Sequence, residues 1–186
     1  MEYDEELHER LRNLHHYFRD KTYSQWKRIN PWYEDLMDWK ERARFFGFGE
    51  SVTVYNSSSI QGDVKVGDHT WIGPFTVLDG TGGLEIGSYC SISTGVHIYC
   101  HNTVKWALSG GKAPYERGPI KIGNCCFIGV QSIILKNVTI GNHCLVQANS
   151  LVTDSFPDYS IIGGSPAKRI GTVQIDGDRV DLLFDK

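Results

Sequence analysis

From about residue 50 the aliphatic side chains recur every six positions: Val54, Ile60, Val66, Ile72 and Leu78, then Ile86, Ile92 and Ile98, then Ile122, Ile128, Ile134, Ile140, Val146 and Val152. Glycine often follows the aliphatic residue, and four positions after it comes a small or modest side chain, as at Ser58, Thr70, Cys90, Cys126, Ser132, Cys144 and Ser150. A period of six is neither the 3.6 of a helix nor the 2 of an ordinary strand. It predicts a short strand plus a corner, three of which close one triangular coil, so that equivalent positions stack from coil to coil. The aliphatic residues point inward, and the small residues let the chain turn.

Residues 1–48 follow a different rhythm. Leu7, Leu11, Leu14 and Phe18 form one apolar helical stripe. A second helix is predicted from Asn30-Pro31, a capping residue followed by proline, with Trp32, Leu36, Trp39 and Ala43 at the same spacing. Glu34 and Asp35 lie early in it and Arg42 and Arg44 late, as the helix dipole favours, and Gly47 and Gly49 end it. The aromatic density suits a cap over the open end of a coil or a subunit contact. Residues 171–186 alternate around Asp176-Gly177-Asp178 and predict a terminal β-hairpin. Three segments are expected: helical 1–48, coil 50–170 and hairpin 171–186.

The period of six fails twice. It gains two residues between Leu78 and Ile86, in a DGTGG turn, and an 18-residue excursion between Ile98 and Ile122, running about 101–118. Counting repeats in threes puts Ile60, Leu78 and Ile98 on the same face, so both interruptions fall at the same corner, one coil apart. Asp79 should then lie beneath the base of the loop that starts at His101. A loop rising from one corner makes a wall, and the groove beside it is the natural binding site. The loop carries Trp106 and Tyr115, aromatic faces able to stack on sugar rings. Its Ser109-Gly110-Gly111 centre is expected to be a mobile tip. The loop is also expected to reach a neighbouring subunit.

Composition narrows the possibilities. The net charge is −3, with both signs intermixed, and no Lys/Arg cluster offers a nucleic-acid footprint. No apolar run approaches the ~20 residues of a membrane span, and the acidic N-terminus is unlike an export signal, which points to the cytoplasm. Five cysteines at positions 90, 100, 125, 126 and 144 match no zinc spacing and are expected to be buried, reduced thiols.

The repeat [LIV]-G-x-x-[STAVC]-x resembles that of the hexapeptide-repeat acyltransferases. Residues 120–170 are similar to the last coils of galactoside, maltose and xenobiotic acetyltransferases. The stretch CSISTGVHIYCHNTVKWALSGGKAPYERGPIKIG is more similar to acetyltransferases of bacterial surface-polysaccharide pathways. The resemblance implies a mainly β fold, a left-handed parallel β-helix. It also implies an acetyl-CoA-dependent O-acetyltransferase acting on a sugar hydroxyl, assembled as a homotrimer with its sites between subunits. No metal is implied.

Seven histidines compete for the role of base. His8, His15 and His16 fall on a charged helix surface, and His69 and His143 at ordinary corners. His101 differs in lying where the loop leaves the coil, which is where the resembled family places its general base. A neutral imidazole there takes the proton of a weakly nucleophilic hydroxyl as it attacks the thioester, and no acyl-enzyme is required. Cys100 adjoins His101 but should point to the opposite side of the strand. Asp79 either orients the imidazole, binds an acceptor hydroxyl or serves only the Asp-Gly turn. His97 and Glu116 rank below it.

By resemblance, Phe127 lies beside the acceptor. The coenzyme runs along Gly129, Val130, Ala148, Thr153 and the Gly164-Ser165-Pro166-Ala167 segment, with Lys168 and Arg169 near the nucleotide phosphates. Gln147, Asn149 and Asp154 depart from the family pattern, and so does Asn102. Rival readings are N-acetylation of a nucleotide-linked amino sugar, a β-helical zinc carbonic anhydrase and a non-catalytic coil.

Overall fold

The computed structural model describes residues 4–36 and 38–185. The first three residues and Met37 of the N-terminal segment, and Lys186 of the C-terminal one, lie outside the described residues. The chain is a left-handed β-helix of short parallel strands, most of them two or three residues long. Its three faces match the count in threes. Ile60, Leu78, Ile98, Ile134 and Val152 stack on face a. Val66, Ile86, Ile122 and Ile140 stack on face b, and Val54, Ile72, Ile92, Ile128, Val146 and Ile162 on face c.

Stacking of identical positions is what holds the coil. Every aliphatic of face c is 0% exposed, and each contributes roughly 1.5–3 kcal/mol of burial. The small corner residues do more than save space. Thr70 Oγ1 donates to Gly87 O at 2.8 Å, Cys90 Sγ to Gly123 O at 3.1 Å, and Cys126 Sγ to Gly141 O at 3.0 Å, so each corner is tied to a carbonyl of the next coil. Cys90, Cys100, Cys126 and Cys144 are buried as expected, but Cys125 is exposed. It sits at a corner with φ +57°, one residue out of the inward register that Cys126 occupies.

The first coil is closed by helices. Ala43, on helix α3 (Trp39–Phe45), and Phe48, just after it, pack into the same core as Val52 and Val54. Arg42 on α3 donates to Tyr55 O and Ser58 O, both at 2.6 Å, satisfying carbonyls at the open end of the coil. Burial pulls the Arg42 guanidinium below its ordinary value, with Glu34 opposing the shift.

Helix α1 spans Glu5–Trp26, but the second predicted helix is broken in two: α2 (Trp32–Asp35) and α3. Asp38 explains the break, because its side chain accepts from Lys40 N and Glu41 N and so starts a new helix. The stripe Trp32, Leu36, Trp39 and Ala43 is therefore not one face. The α1 stripe also differs from expectation, since Leu7, Leu11 and Leu14 remain 40–49% exposed. His15 leaves the charged surface and meets Trp32 edge-on at 5.2 Å.

At the other end, strands Ser160–Gly164, Ala167–Asp176 and Arg179–Phe184 pair antiparallel and extend face c beyond Val146. Gly177, at φ +57°, makes the hairpin turn. The excursion is ordered. His101–Asn102 pairs antiparallel with Glu116–Arg117 as a stem, and helix α4 (Val104–Leu108) follows. Gly110 and Gly111, both at positive φ, donate to Ala107 O and Trp106 O. The Ser109-Gly110-Gly111 centre is the hydrogen-bonded end of α4.

Candidate active site

Strand Val77–Ile86 runs straight through the corner between faces a and b, carrying the two-residue insertion with it. There Asp79 Oδ1 accepts from Thr81 N at 2.9 Å, the Asx turn expected of this sequence. Gly82 is required by proximity: a Cβ there would stand 2.7 Å from Cys100 O. Asp79 is in register with Tyr99 on the next coil, and its side chain is 0% exposed.

Two residues beyond Tyr99, the His101 imidazole turns back over Asp79. Its Nδ1 is 2.5 Å from Asp79 Oδ2 and 3.1 Å from Thr81 Oγ1. Burial pushes the Asp79 carboxyl up, but hydrogen bonds from Thr81 and His101, with the imidazole's charge, outweigh it and hold the group below its ordinary value. An ionised Asp79 accepts, so Nδ1 carries the proton, and the basic lone pair lies on Nε2. Asp79 therefore serves both the turn, through Oδ1, and the imidazole, through Oδ2.

Cys100 faces the other way. It is 0% exposed, and its Sγ donates to Gly83 O at 3.1 Å. Burial, and then the Asp79 charge, push the thiol up to about 11. A thiol so protonated and enclosed is no nucleophile.

The loop stands over this corner. Glu116 contacts Asn102 Nδ2 at 3.3 Å, Lys105 Nζ at 2.5 Å and Lys136 Nζ at 3.4 Å, so it fastens the loop to the following coil. The Lys105 hydrogen bond holds the half-buried Glu116 carboxyl below its usual range. Trp106 and Tyr115 meet edge to face at 5.6 Å and are 42% and 44% exposed. The sequence reading left out Thr81, whose signal is the two-residue gain in DGTGG. Nor does the sequence pattern show the contact of Lys136 with Glu116.

The remaining expected residues do not join this cluster. Phe127 lies on face c, and Gly129, Val130 and Ala148 lie at the corner between faces c and a. Gly129 is needed there because a Cβ would meet Ala148 N at 2.5 Å. The Ser165-Pro166 bond, cis, forms the turn between strands Ser160–Gly164 and Ala167–Asp176, and the latter carries Ala167, Lys168 and Arg169. Arg169 hydrogen-bonds Thr172. Thr153 shares the His101 corner two coils further on, and its hydroxyl donates to Asp154 at 3.1 Å. In one chain, face a separates the His101 edge from most of the expected coenzyme residues.

Three of the other histidines pack against tyrosine rings. His69 stacks on Tyr89 at 4.7 Å and His143 on Tyr159 at 5.0 Å, all four at the corner between faces b and c. His97 lies edge-on to Tyr99 at 5.9 Å. Among the described residues no group of three or more His, Cys, Asp or Glu could hold a metal ion. No helix among them is long and apolar enough to cross a membrane.

Comparison with known proteins finds the same repeat and the same fold. The family model described as bacterial transferase hexapeptide (six repeats) matches residues 119–154. A probable acetyltransferase of Mycobacterium tuberculosis is 27% identical over 137 residues, which is 73% of this chain and 45% of that protein. A chloramphenicol acetyltransferase of Morganella morganii is 32% identical over 120 residues, 55% of this chain and 57% of that protein. The chain thus spans about half the length of the curated relatives it matches. Among solved structures, a variant of the N-acyltransferase AntD from Bacillus cereus, in complex with dTDP and coenzyme A, superposes with a TM-score of 0.61. It is 25% identical and covers 73% of this chain and 91% of its own.

Proposed function

We propose that this chain, which belongs to the hexapeptide-repeat transferase family, transfers an acetyl group from acetyl-CoA to the hydroxyl of a sugar, with His101 as general base. The observation that carries the reading is the pairing of His101 Nδ1 with the buried Asp79 carboxylate at the base of the loop. In this reading Nε2 removes the hydroxyl proton as the oxygen attacks the thioester carbonyl. The tetrahedral oxyanion is met by a backbone N–H. The imidazolium, steadied by Asp79, then returns its proton to the departing thiolate. Trp106 and Tyr115 wall the acceptor side.

The split of the expected residues between two edges supports a site built by two chains: His101 and the loop from one, and Phe127, Gly129, Val130, Ala148 and the Ser165–Arg169 turn from its neighbour. A homotrimer closes three such sites by rotation. A role in surface-polysaccharide synthesis and a cytoplasmic location, where acetyl-CoA is made, belong to the same proposal.

A second acceptor class has its own support, since AntD is an N-acyltransferase whose complex holds dTDP. An amino group on a nucleotide-linked sugar would meet the same base. The test is acetyl transfer by purified protein to a panel of sugars and nucleotide-linked amino sugars, with His101→Ala as control. The proposal expects transfer to an alcohol to fall by at least a hundredfold in the variant. Transfer to amines alone would give the second reading, and a His101→Ala variant at near wild-type rate would end both. Sedimentation of the protein checks the trimer.

A further inference from the structure

The hairpin that ends the face-c sheet leaves one edge uncovered. Strand Arg179–Phe184 is the last of eight in that sheet. One side of it pairs antiparallel with Ala167–Asp176, and among the described residues no strand pairs with the other side. Asp185 N donates to Ile170 O at 2.9 Å, which marks residue 185 as a hydrogen-bonded position. Such positions alternate along an antiparallel strand. Residues 179, 181, 183 and 185 therefore turn their backbone groups into the sheet. The N–H and C=O groups of Val180, Leu182 and Phe184 point outward along the open edge.

The side chains make this edge apolar. Directly opposed residues of an antiparallel pair share a face. Ile175 with Val180, Val173 with Leu182 and Gly171 with Phe184 thus lie on one side of the hairpin. Ile175, Val180, Leu182 and Phe184 are 38–58% exposed, so an apolar patch adjoins the unpaired backbone. Natural edge strands are guarded by lysine, proline or a bulge. This strand contains no lysine or proline, and its pairing with Ala167–Asp176 has no bulge. The charges lie on the opposite side, where Arg179 Nε is 2.9 Å from Asp181 Oδ2 and Asp185 follows Leu183 by two residues.

We infer that this edge pairs with the same edge of a second copy of the chain, antiparallel about a two-fold axis. The side chains select the register. With Leu182 opposite the partner's Leu182, Val180 meets the partner's Phe184, and the apolar face runs unbroken across the junction. The same register sets Arg179 opposite the partner's Asp185, twice by symmetry. A slip of two residues in one direction opposes Asp181 to the partner's Asp181, and in the other to the partner's Asp185. Like charges so placed are destabilising. A slip of one residue sets the apolar side chains against the charged face. The junction depends on neither the acetyl-transfer reading nor the trimer. It joins two copies where the coil stays single and six where two trimers meet.

Sedimentation and light scattering of the full chain, up to hundreds of micromolar, test the pairing. Leu182→Pro removes an outward N–H and no hydrogen bond to Ala167–Asp176, so the strand should keep its place at the edge. Its circular dichroism should match the wild type while its limiting mass is half. Arg179→Asp opposes the partner's Asp185 with a like charge and should weaken self-association roughly tenfold. Adding Asp185→Arg restores opposite charges and should bring association back to within about threefold of wild type. These two residues are exposed, so the charge pair carries the test even if the proline variant fails to fold. The pairing is overturned if the wild type forms no species of twice the mass of Leu182→Pro or Arg179→Asp. It is equally overturned if Arg179→Asp associates as the wild type does, or if the double variant recovers nothing.

Discussion

Replacing Asp79 by asparagine exchanges a carboxylate for an amide at a point 2.5 Å from His101 Nδ1. Oδ1 remains to accept from Thr81 N at 2.9 Å, so the turn survives. The other arm becomes an NH2 group, which can only donate. Nδ1 must then accept, the ring proton moves to Nε2, and the imidazole can no longer act as the base. A charge-assisted hydrogen bond contributes about 1.5–3 kcal/mol, which is roughly ten- to a hundredfold in rate. Reversal of the tautomer raises the cost, as the equivalent exchange in serine proteases, about 10⁴-fold, illustrates. We therefore expect kcat/KM of Asp79→Asn to fall by about 10²–10⁴, mostly in kcat. The assay is continuous detection of free coenzyme A with an accepted sugar, beside circular dichroism to show that the coil is intact. A variant within threefold of wild type would refute the claim that Asp79 fixes the proton on Nδ1.

Four further outcomes rest on the same structure. Because the folded Asp79 carboxyl titrates below its ordinary value of about 3.9, its stabilisation is present above that pH and lost as pH falls through the lower folded value. Thermal melts should show a wild-type advantage over Asp79→Asn that shrinks below about pH 4; an advantage that keeps growing below that pH would contradict the sign. Ile128→Ala empties a 0% exposed position in the face-c stack and should cost about 2–5 kcal/mol, read as a denaturant midpoint shift. Cys100→Ser should keep most of the activity, since Sγ only donates to Gly83 O. A thiol reagent on the native protein should label Cys125 rapidly and the four buried cysteines slowly; rapid labelling of Cys100 would place it wrongly.

The coil was legible because its signal repeats: a period of six over fourteen aliphatic positions leaves one way to stack them. The same count placed Asp79 beneath the start of the loop, since both interruptions follow a face-a residue. Where a pattern is short, legibility fails. The stripe Trp32–Ala43 reads as one helix, yet Asp38 offers its carboxylate to two amides and divides it. Cys125 and Cys126 read alike, though adjacent residues at a corner face opposite sides.

The repeat in the chain determined the cross-section, the three faces, the inward residues and the corner at which Asp79 and His101 meet, because identical positions must stack for the core to close. Tertiary structure alone decided what the side chains at that corner do. It set the distance between Asp79 and His101 and brought Lys136 against Glu116 to hold the loop. Stacking depends on period, which a linear sequence displays. Hydrogen bonds depend on the direction of individual atoms, which are set only when the coils and helices meet.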